Sequence, residues 1–295
     1  MAIKTLTVVS AGTLGSQIAL MAALHGVKVK IWNGHTDRAH KRLQTYLPMF
    51  KQGMGLTDEQ VAAGKANIEV VTNDWSVPFK DTDLVIEATA EKVDVKKDVL
   101  EKISEQVPAD TPIASNSSTM LPSQLSKLVS HPERFLHIHF ANHIWQLNTA
   151  EIVGSDKTKP EYLAEAKAFA EQIGMLPIML KKENPGYIMN ALLIPMLQSA
   201  LWVWANGVAD PETIDRDWIN SSGMPMGPFM VLDMVGLRTS YNIAAARAES
   251  DPASKIIAAK LKEMLDEGRT GEAAGQGFYS YPHPAFEDPD FMKKG

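Results

Sequence analysis

Residues 6–24 constrain the fold of this chain more than any other stretch: Leu6-Thr7-Val8-Val9, then Ser10-Ala11-Gly12-Thr13-Leu14-Gly15, then an apolar helix-forming run from Ser16. A short β-branched strand, a glycine turn and a helix follow one another directly. In that context the glycines permit the tight turn, let backbone N–H groups approach a pyrophosphate and let the helix pack on the strand, while the helix amino terminus meets the negative charge. The pattern predicts a dinucleotide held by Ser10, Gly12, Thr13, Leu14 and Gly15. Two residues depart from the fingerprint. Ser10 stands where its first glycine belongs, and a Cβ there costs about 1 kcal/mol if φ must be positive. Asn33 stands at the end of the second strand, about 20 residues past the turn, where an acidic residue usually holds the ribose 2′-hydroxyl. An asparagine still bonds a hydroxyl but lacks the charge that repels a 2′-phosphate, and His35, Arg38, Lys41 and Arg42 follow closely. Those bases equally suit a solvated helix face. NAD is therefore the expected cofactor, with NADP left open.

Beyond the turn, strands at residues 27–32, 68–71, 83–88, 112–115 and 177–180, and two strand-like runs within 137–153, alternate with helical patterns, including a basic helix over 37–52 and a capped second helix at a loop over 53–60. Such alternation predicts an α/β fold with a parallel sheet over roughly the first 180 residues, and the later patterns are helical. The polar, Pro- and Gly-containing link Lys181-Lys182-Glu183-Asn184-Pro185-Gly186 places the boundary, giving domains 1–183 and 184–295. Residues 186–208 are apolar enough to raise the question of a membrane span, but Asn190, Pro195, Gln198, Ser199 and Asn206 favour a buried core helix.

Chemistry concentrates between residues 137 and 153, where two strand-like runs bracket His139 and Glu151. An imidazole moves a proton near neutral pH, and a carboxylate on its far nitrogen fixes the tautomer and steadies the imidazolium. This pair suits reduction of a carbonyl or oxidation of an alcohol. Asn116-Ser117-Ser118-Thr119 ends another strand, where hydroxyls reach a ligand in an open α/β sheet, although Ser117 or Thr119 equally suits a helix N-cap. His137 and His143 flank His139, but a fourth ligand for zinc is not evident.

The formal charge of −6 argues against nucleic acid as a partner, and the absence of cysteine excludes disulfides and thiolate chemistry while suiting a reducing cytoplasm. The amino-terminal residues run straight into a strand pattern, so no secretory leader is expected.

The glycine turn, Ala114-Ser115-Asn116-Ser117-Ser118, His139-Phe140-Ala141-Asn142, Glu151, Pro185-Gly186-Tyr187-Ile188-Met189-Asn190, Pro225-Met226-Gly227-Pro228-Phe229 and Gly277-Phe278-Tyr279 occur in one order. Together they resemble the 3-hydroxyacyl-CoA dehydrogenase family over essentially the whole chain, and within it the bacterial diketoreductases. The resemblance implies a Rossmann-type dinucleotide-binding domain followed by an all-helical carboxyl-terminal domain that forms a homodimer. It implies His139 as acid/base, Glu151 as its orienting partner, Ser118 and Asn190 as substrate-oxygen donors, Asn142 beside the nicotinamide, and Glu91 and Lys96 as cofactor contacts. Where the family commonly has Phe and Pro around the Asn of this motif, the chain has Ala141 and His143, and where many CoA-using members carry Lys near the last motif it has Ala273.

The expected activity is NAD(P)H-dependent reduction of a 3-oxo or 3,5-dioxo ester or acid, a small-molecule substrate with no membrane partner. A short-chain 3-hydroxyacyl-CoA dehydrogenase, with Lys51 or Lys65 meeting CoA phosphates, and a non-catalytic dinucleotide-binding protein are the alternatives.

Overall fold

The computed structural model describes residues 2–71, 75, 78, 79 and 81–293. It divides into two compact units, Met1–Ile188 and Met189–Gly295. The break falls beyond the Pro-Gly link because the residues after it are still tied to the first unit: the Tyr187 side chain is buried, and the Ile188 N–H donates to Glu151 Oε1 at 2.9 Å.

In the first unit β1 (Thr5–Val9), β2 (Lys28–Trp32), β3 (Ile68–Val71), β4 (Leu84–Glu87), β5 (Ile113–Ser115), β6 (Phe135–Phe140), β7 (Thr149–Gly154) and β8 (Leu176–Met179) form one sheet in the order β3-β2-β1-β4-β5-β6-β7-β8. The helices α1 (Thr13–Leu24), α2 (Thr36–Met54), α3 (Asp58–Ala66), α4 (Val93–Gln106), α5 (Pro122–Leu125) and α6 (Pro160–Gln172) connect them. The helix expected to be capped is α3, and a Thr57–Gln60 capping box starts it. Leu6 and Val8 of β1 and Ile18, Leu20 and Met21 of α1 share one apolar core, while Val9, Val85, Leu100, Ile103 and Phe135 build a second.

One expectation is corrected: the sheet is not parallel throughout, for β6 and β7 pair antiparallel, with His139 opposite Glu151. Their connection, residues 141–148, is shorter than the roughly dozen residues a parallel crossover needs. The chain has to turn back, and that reversal sets the imidazole facing the carboxylate.

The second unit is helical: α7 (Met189–Ala205), α8 (Pro211–Ser222), α9 (Pro228–Val235), α10 (Leu237–Arg247) and α11 (Pro252–Asp266) enclose Leu197, Leu201, Phe229, Leu232 and Leu261. Two buried aspartates organise its turns. Asp215 accepts from the N–H groups of Phe229 and Met230 and from the Tyr279 hydroxyl, and Asp233 from the N–H groups of Phe278 and Tyr279 and the Tyr281 hydroxyl. Gly227 and Gly277 have to be glycine, because a Cβ on either would stand 2.2 Å and 2.0 Å from those carboxylates. No helix among the described residues is long and apolar enough to cross a membrane.

Candidate active site

The glycine turn closes as its residues require. Ser10 has φ 83, the strained conformation anticipated for a residue standing in a glycine position. A Cβ on Gly15 would lie 1.9 Å from the Ser10 carbonyl oxygen, so helix and turn meet only because Gly15 has none. Gly12 is the N-cap of α1, no side chain caps it, and no acidic residue occupies the first turn. Thr13 and Leu14 open that turn. An uncapped helix amino terminus at the carboxyl end of β1 fits the pyrophosphate of a dinucleotide, its N–H groups and dipole supplying the partners.

Asn33 takes a more specific position than the sequence suggests. Its Oδ1 accepts the Ala11 N–H at 3.0 Å and its Nδ2 donates to the His35 carbonyl at 2.7 Å, so its amide braces the glycine turn from the end of β2.

Glu91 also acts through the protein. Its carboxylate accepts from Ser117 Oγ at 2.9 Å, the Ser118 N–H at 2.8 Å and Thr119 Oγ1 at 3.2 Å, gathering the loop after β5. The Ser117 and Thr119 hydroxyls are both engaged with Glu91, and Ser117 Oγ also accepts the Met120 N–H at 3.2 Å, a cap-type bond; α5 begins later, after Leu121. Lys96, expected among the cofactor contacts, is fully buried and donates to both oxygens of Glu87 at 2.9 Å. Its ammonium is engaged in that pair and stands 4.0 Å from Glu91. Glu87 further accepts from Ser115 Oγ at 2.6 Å and from the Thr89 N–H at 2.6 Å, joining the carboxyl ends of β4 and β5. Nothing in the sequence reading singled Glu87 out, although a charged residue closing the apolar run Leu84-Val85-Ile86 was the available signal.

At the carboxyl end of β6, His139 Nε2 lies 3.1 Å from Ser118 Oγ and its Nδ1 lies 3.0 Å from Glu151 Oε2. Only Nδ1–H satisfies the carboxylate. Nε2 is thereby left as an acceptor in the neutral ring and a donor in the imidazolium, which is the arrangement that passes a proton at Nε2. Ser118, His139 and Glu151 are thus one connected set. Asn190 belongs to the other unit, on the first turn of α7.

Tyr187 was missed and is central to this geometry. Its ring stacks on His139 with centroids 4.2 Å apart and planes 4° from parallel, while its hydroxyl donates to the Ser117 carbonyl at 2.5 Å. That hydroxyl in turn accepts from His137 Nδ1 at 2.8 Å. Burial pushes the His137 imidazole down to about 3, with smaller contributions from Lys96 and His139, so it is neutral in ordinary conditions. Burial raises the Tyr187 phenol above its usual range, helped by Glu91 and Glu151, and it stays protonated. Tyr187 itself has φ 56, so the Pro-Gly-Tyr turn is held in an unusual conformation that presents its ring to His139 and the next N–H to Glu151.

Asn142, two residues beyond β6, is exposed, and its Oδ1 accepts from Gln17 Nε2 at 2.7 Å. Trp145 packs on α2 against Phe50, with ring centroids 5.0 Å apart, and a Cβ on Gly53 would meet its ring at 2.4 Å. It is a packing residue of that helix. The three histidines have separate partners: His137 binds Tyr187, His139 binds Glu151, and the His143 ring lies 5.0 Å from that of Trp145. Lys51 is paired with Asp58 at 2.6 Å.

Comparison with known proteins supplies the context for this geometry. Residues 5–183 match the model of the 3-hydroxyacyl-CoA dehydrogenase NAD binding domain, and residues 186–281 that of the corresponding C-terminal domain. A mitochondrial hydroxyacyl-coenzyme A dehydrogenase of Sus scrofa is 30% identical over 289 residues, covering 95% of this chain and 91% of that protein. A solved diketoreductase, described for substrate-directed dual catalysis of dicarbonyl compounds, is 43% identical with a TM-score of 0.90, covering 95% of this chain and 100% of its own. A (S)-3-hydroxybutyryl-CoA dehydrogenase from Ralstonia eutropha is 30% identical with a TM-score of 0.81, covering the same shares.

Proposed function

The chain belongs to the 3-hydroxyacyl-CoA dehydrogenase family, whose members are nicotinamide-dependent oxidoreductases acting on hydroxyl and carbonyl groups, and from that premise we propose that it reduces a 3-oxo or 3,5-dioxo ester or acid to the 3-hydroxy compound with His139 as acid/base. The observation that carries this reading is the connected set Ser118 Oγ, His139 Nε2 and Nδ1, and Glu151 Oε2, with each link at 3.0 to 3.1 Å. The bound dinucleotide supplies the hydride. In reduction the His139 imidazolium donates its Nε2 proton to the oxygen on which negative charge develops, and the Ser118 hydroxyl stabilises that oxygen by hydrogen bonding. Glu151 keeps the proton on Nδ1 and balances the imidazolium. Tyr187 holds the ring plane. In oxidation the neutral His139 accepts the hydroxyl proton at Nε2.

NADH is the proposed reductant. The Asn33 amide sits at the turn, and the first turn of α2 carries Asp37, whose charge disfavours a second phosphate at that end. NADPH remains the alternative because Asn33 itself is neutral.

The ester or acid is favoured over a CoA thioester by the diketoreductase likeness at 43% identity, and by the engagement of Lys51 with Asp58. The thioester reading rests on relatives that are named as acyl-CoA enzymes. kcat/KM for a 3,5-dioxo ester beside acetoacetyl-CoA, each with NADH and NADPH, separates them. The proposal predicts that the ester with NADH is the best pair; preference for the thioester overturns the substrate assignment, and failure on both with intact NADH binding overturns the activity.

We further assign the protein to the cytoplasm, a reducing compartment that suits a chain without cysteine, and to a homodimer formed through α7. Leu192, Pro195, Ser199 and Trp202 form an exposed stripe at helical spacing on α7, opposite the face that packs Leu197 and Leu201 into the core.

A further inference from the structure

The Gln17 side chain is fully buried, two residues beyond the last glycine of the turn, and its amide can be oriented without ambiguity. Its Oε1 lies 3.0 Å from the His143 backbone nitrogen and 3.4 Å from that of Ile144. Both backbone groups are donors and nothing else, so the atom facing them has to be the oxygen. Nε2 then points the other way and donates to Asn142 at 2.7 Å. The Asn142 atom receiving that proton also faces the His143 N–H at 3.0 Å, so it is the oxygen as well. Each assignment is forced by a backbone N–H at the start of the series.

Asn142 Nδ2 is therefore turned outward, on an exposed residue three positions past His139, and it makes no hydrogen bond to the described residues. We infer that Gln17 is a positioning residue: it fixes the Asn142 amide so that this side chain offers a ligand only N–H, and the ligand group it holds is a neutral carbonyl oxygen. Two ligands carry such a group in the reaction proposed above, on which this inference rests: the carboxamide of the nicotinamide ring and the acyl group of the substrate.

The device is specific to this loop. His143 has φ 60 and uses its N–H to orient Gln17. A proline at that place, as in the Asn-Pro of the family pattern, has no N–H and a φ near −65°. The same amide latch cannot form around it. The glycine turn and the catalytic strand are thereby joined by one buried side chain, from α1 to the loop after β6.

Gln17→Glu tests the inference, because a carboxylate still accepts from His143 and Ile144 but now requires a donor from Asn142, which turns its amide over and presents Oδ1. Two quantities are measured: Kd for NADH without substrate, and KM for the carbonyl substrate at saturating NADH. Gln17→Glu is expected to raise one of them by about tenfold or more. A rise in Kd identifies the carboxamide and a rise in KM alone identifies the substrate acyl oxygen. A new charge near the phosphates would also weaken NADH, so the measurement is repeated in an Asn142→Ala background. There the effect of Gln17→Glu is expected to shrink to less than about twofold, since it acts through Asn142. An equal effect in both backgrounds, or none in either, overturns the inference. Asn142→Asp, a change at an exposed residue that offers only acceptors, provides the second route: it is expected to raise the same quantity by about tenfold or more, and no change in either quantity overturns the inference. NADH binding needs no chemistry, so inactivity on every carbonyl substrate with the Kd response intact would count against the proposed activity and leave the carboxamide assignment standing.

Discussion

At the scale of single residues, the departures from pattern are the informative positions. Ser10 was legible as a misfit in the sequence, and its φ of 83 shows where the strain lies. Ser10→Gly is expected to stabilise the chain by up to about 1 kcal/mol, relief of the Cβ clash being partly offset by the greater freedom of glycine in the unfolded chain; urea unfolding at neutral pH measures it. His137 sets a pH dependence. The unfolded chain protonates this imidazole near 6.5, whereas the folded chain resists until about 3, so its contribution to stability is complete above 6.5 and declines as the pH falls through that interval. Asp215 acts in the opposite sense: burial raises its carboxyl from 3.8 to about 6, so the folded chain takes up that proton first and gains stability on acidification through this range. The urea midpoint of His137→Phe is accordingly expected to fall less between about pH 6.5 and about pH 5 than that of the parent. An identical slope would contradict the buried neutral state of His137.

At the scale of elements, the sequence made the strand, turn and helix of the first motif plain, because period and glycine placement are local properties. What it concealed was long-range. The antiparallel β6–β7 pairing follows from a short connection, and alternation alone suggested otherwise. The parts of Tyr187 and Gln17 depend on residues far away in the chain, and the nearer pair of Glu87 and Lys96 has no local signature beyond a charged residue closing the apolar run of β4. Lys96 is the sharpest case: the family resemblance implied a cofactor contact, and nothing local announced the buried ion pair by which it ties α4 to the end of β4. Lys96→Met leaves the Glu87 carboxylate buried without its cation, and is expected to destabilise the chain by about 3–5 kcal/mol. A variant with unchanged urea stability and weakened NADH binding would return Lys96 to the ligand.

At the scale of the whole molecule, two units with separate cores carry separate parts of the account. The first holds the glycine turn and the connected set of Ser118, His139 and Glu151; the second presents the apolar stripe of α7, with Leu192 69% and Trp202 46% exposed. Apolar side chains of that size, repeated on one helix face, suit burial against a second copy. Light scattering at micromolar concentration is expected to give twice the chain mass, and Leu192→Glu to shift it towards the single chain; a parent that already runs as a monomer would remove the homodimer. The central claim is proton transfer by His139, and the most direct measurement is the rate of 3-oxo ester reduction by His139→Ala at saturating NADH, with NADH affinity checked alongside. The rate is expected to fall about 10²–10⁴-fold with NADH binding retained; a variant that reduces the ester as fast as the parent would contradict proton transfer by His139.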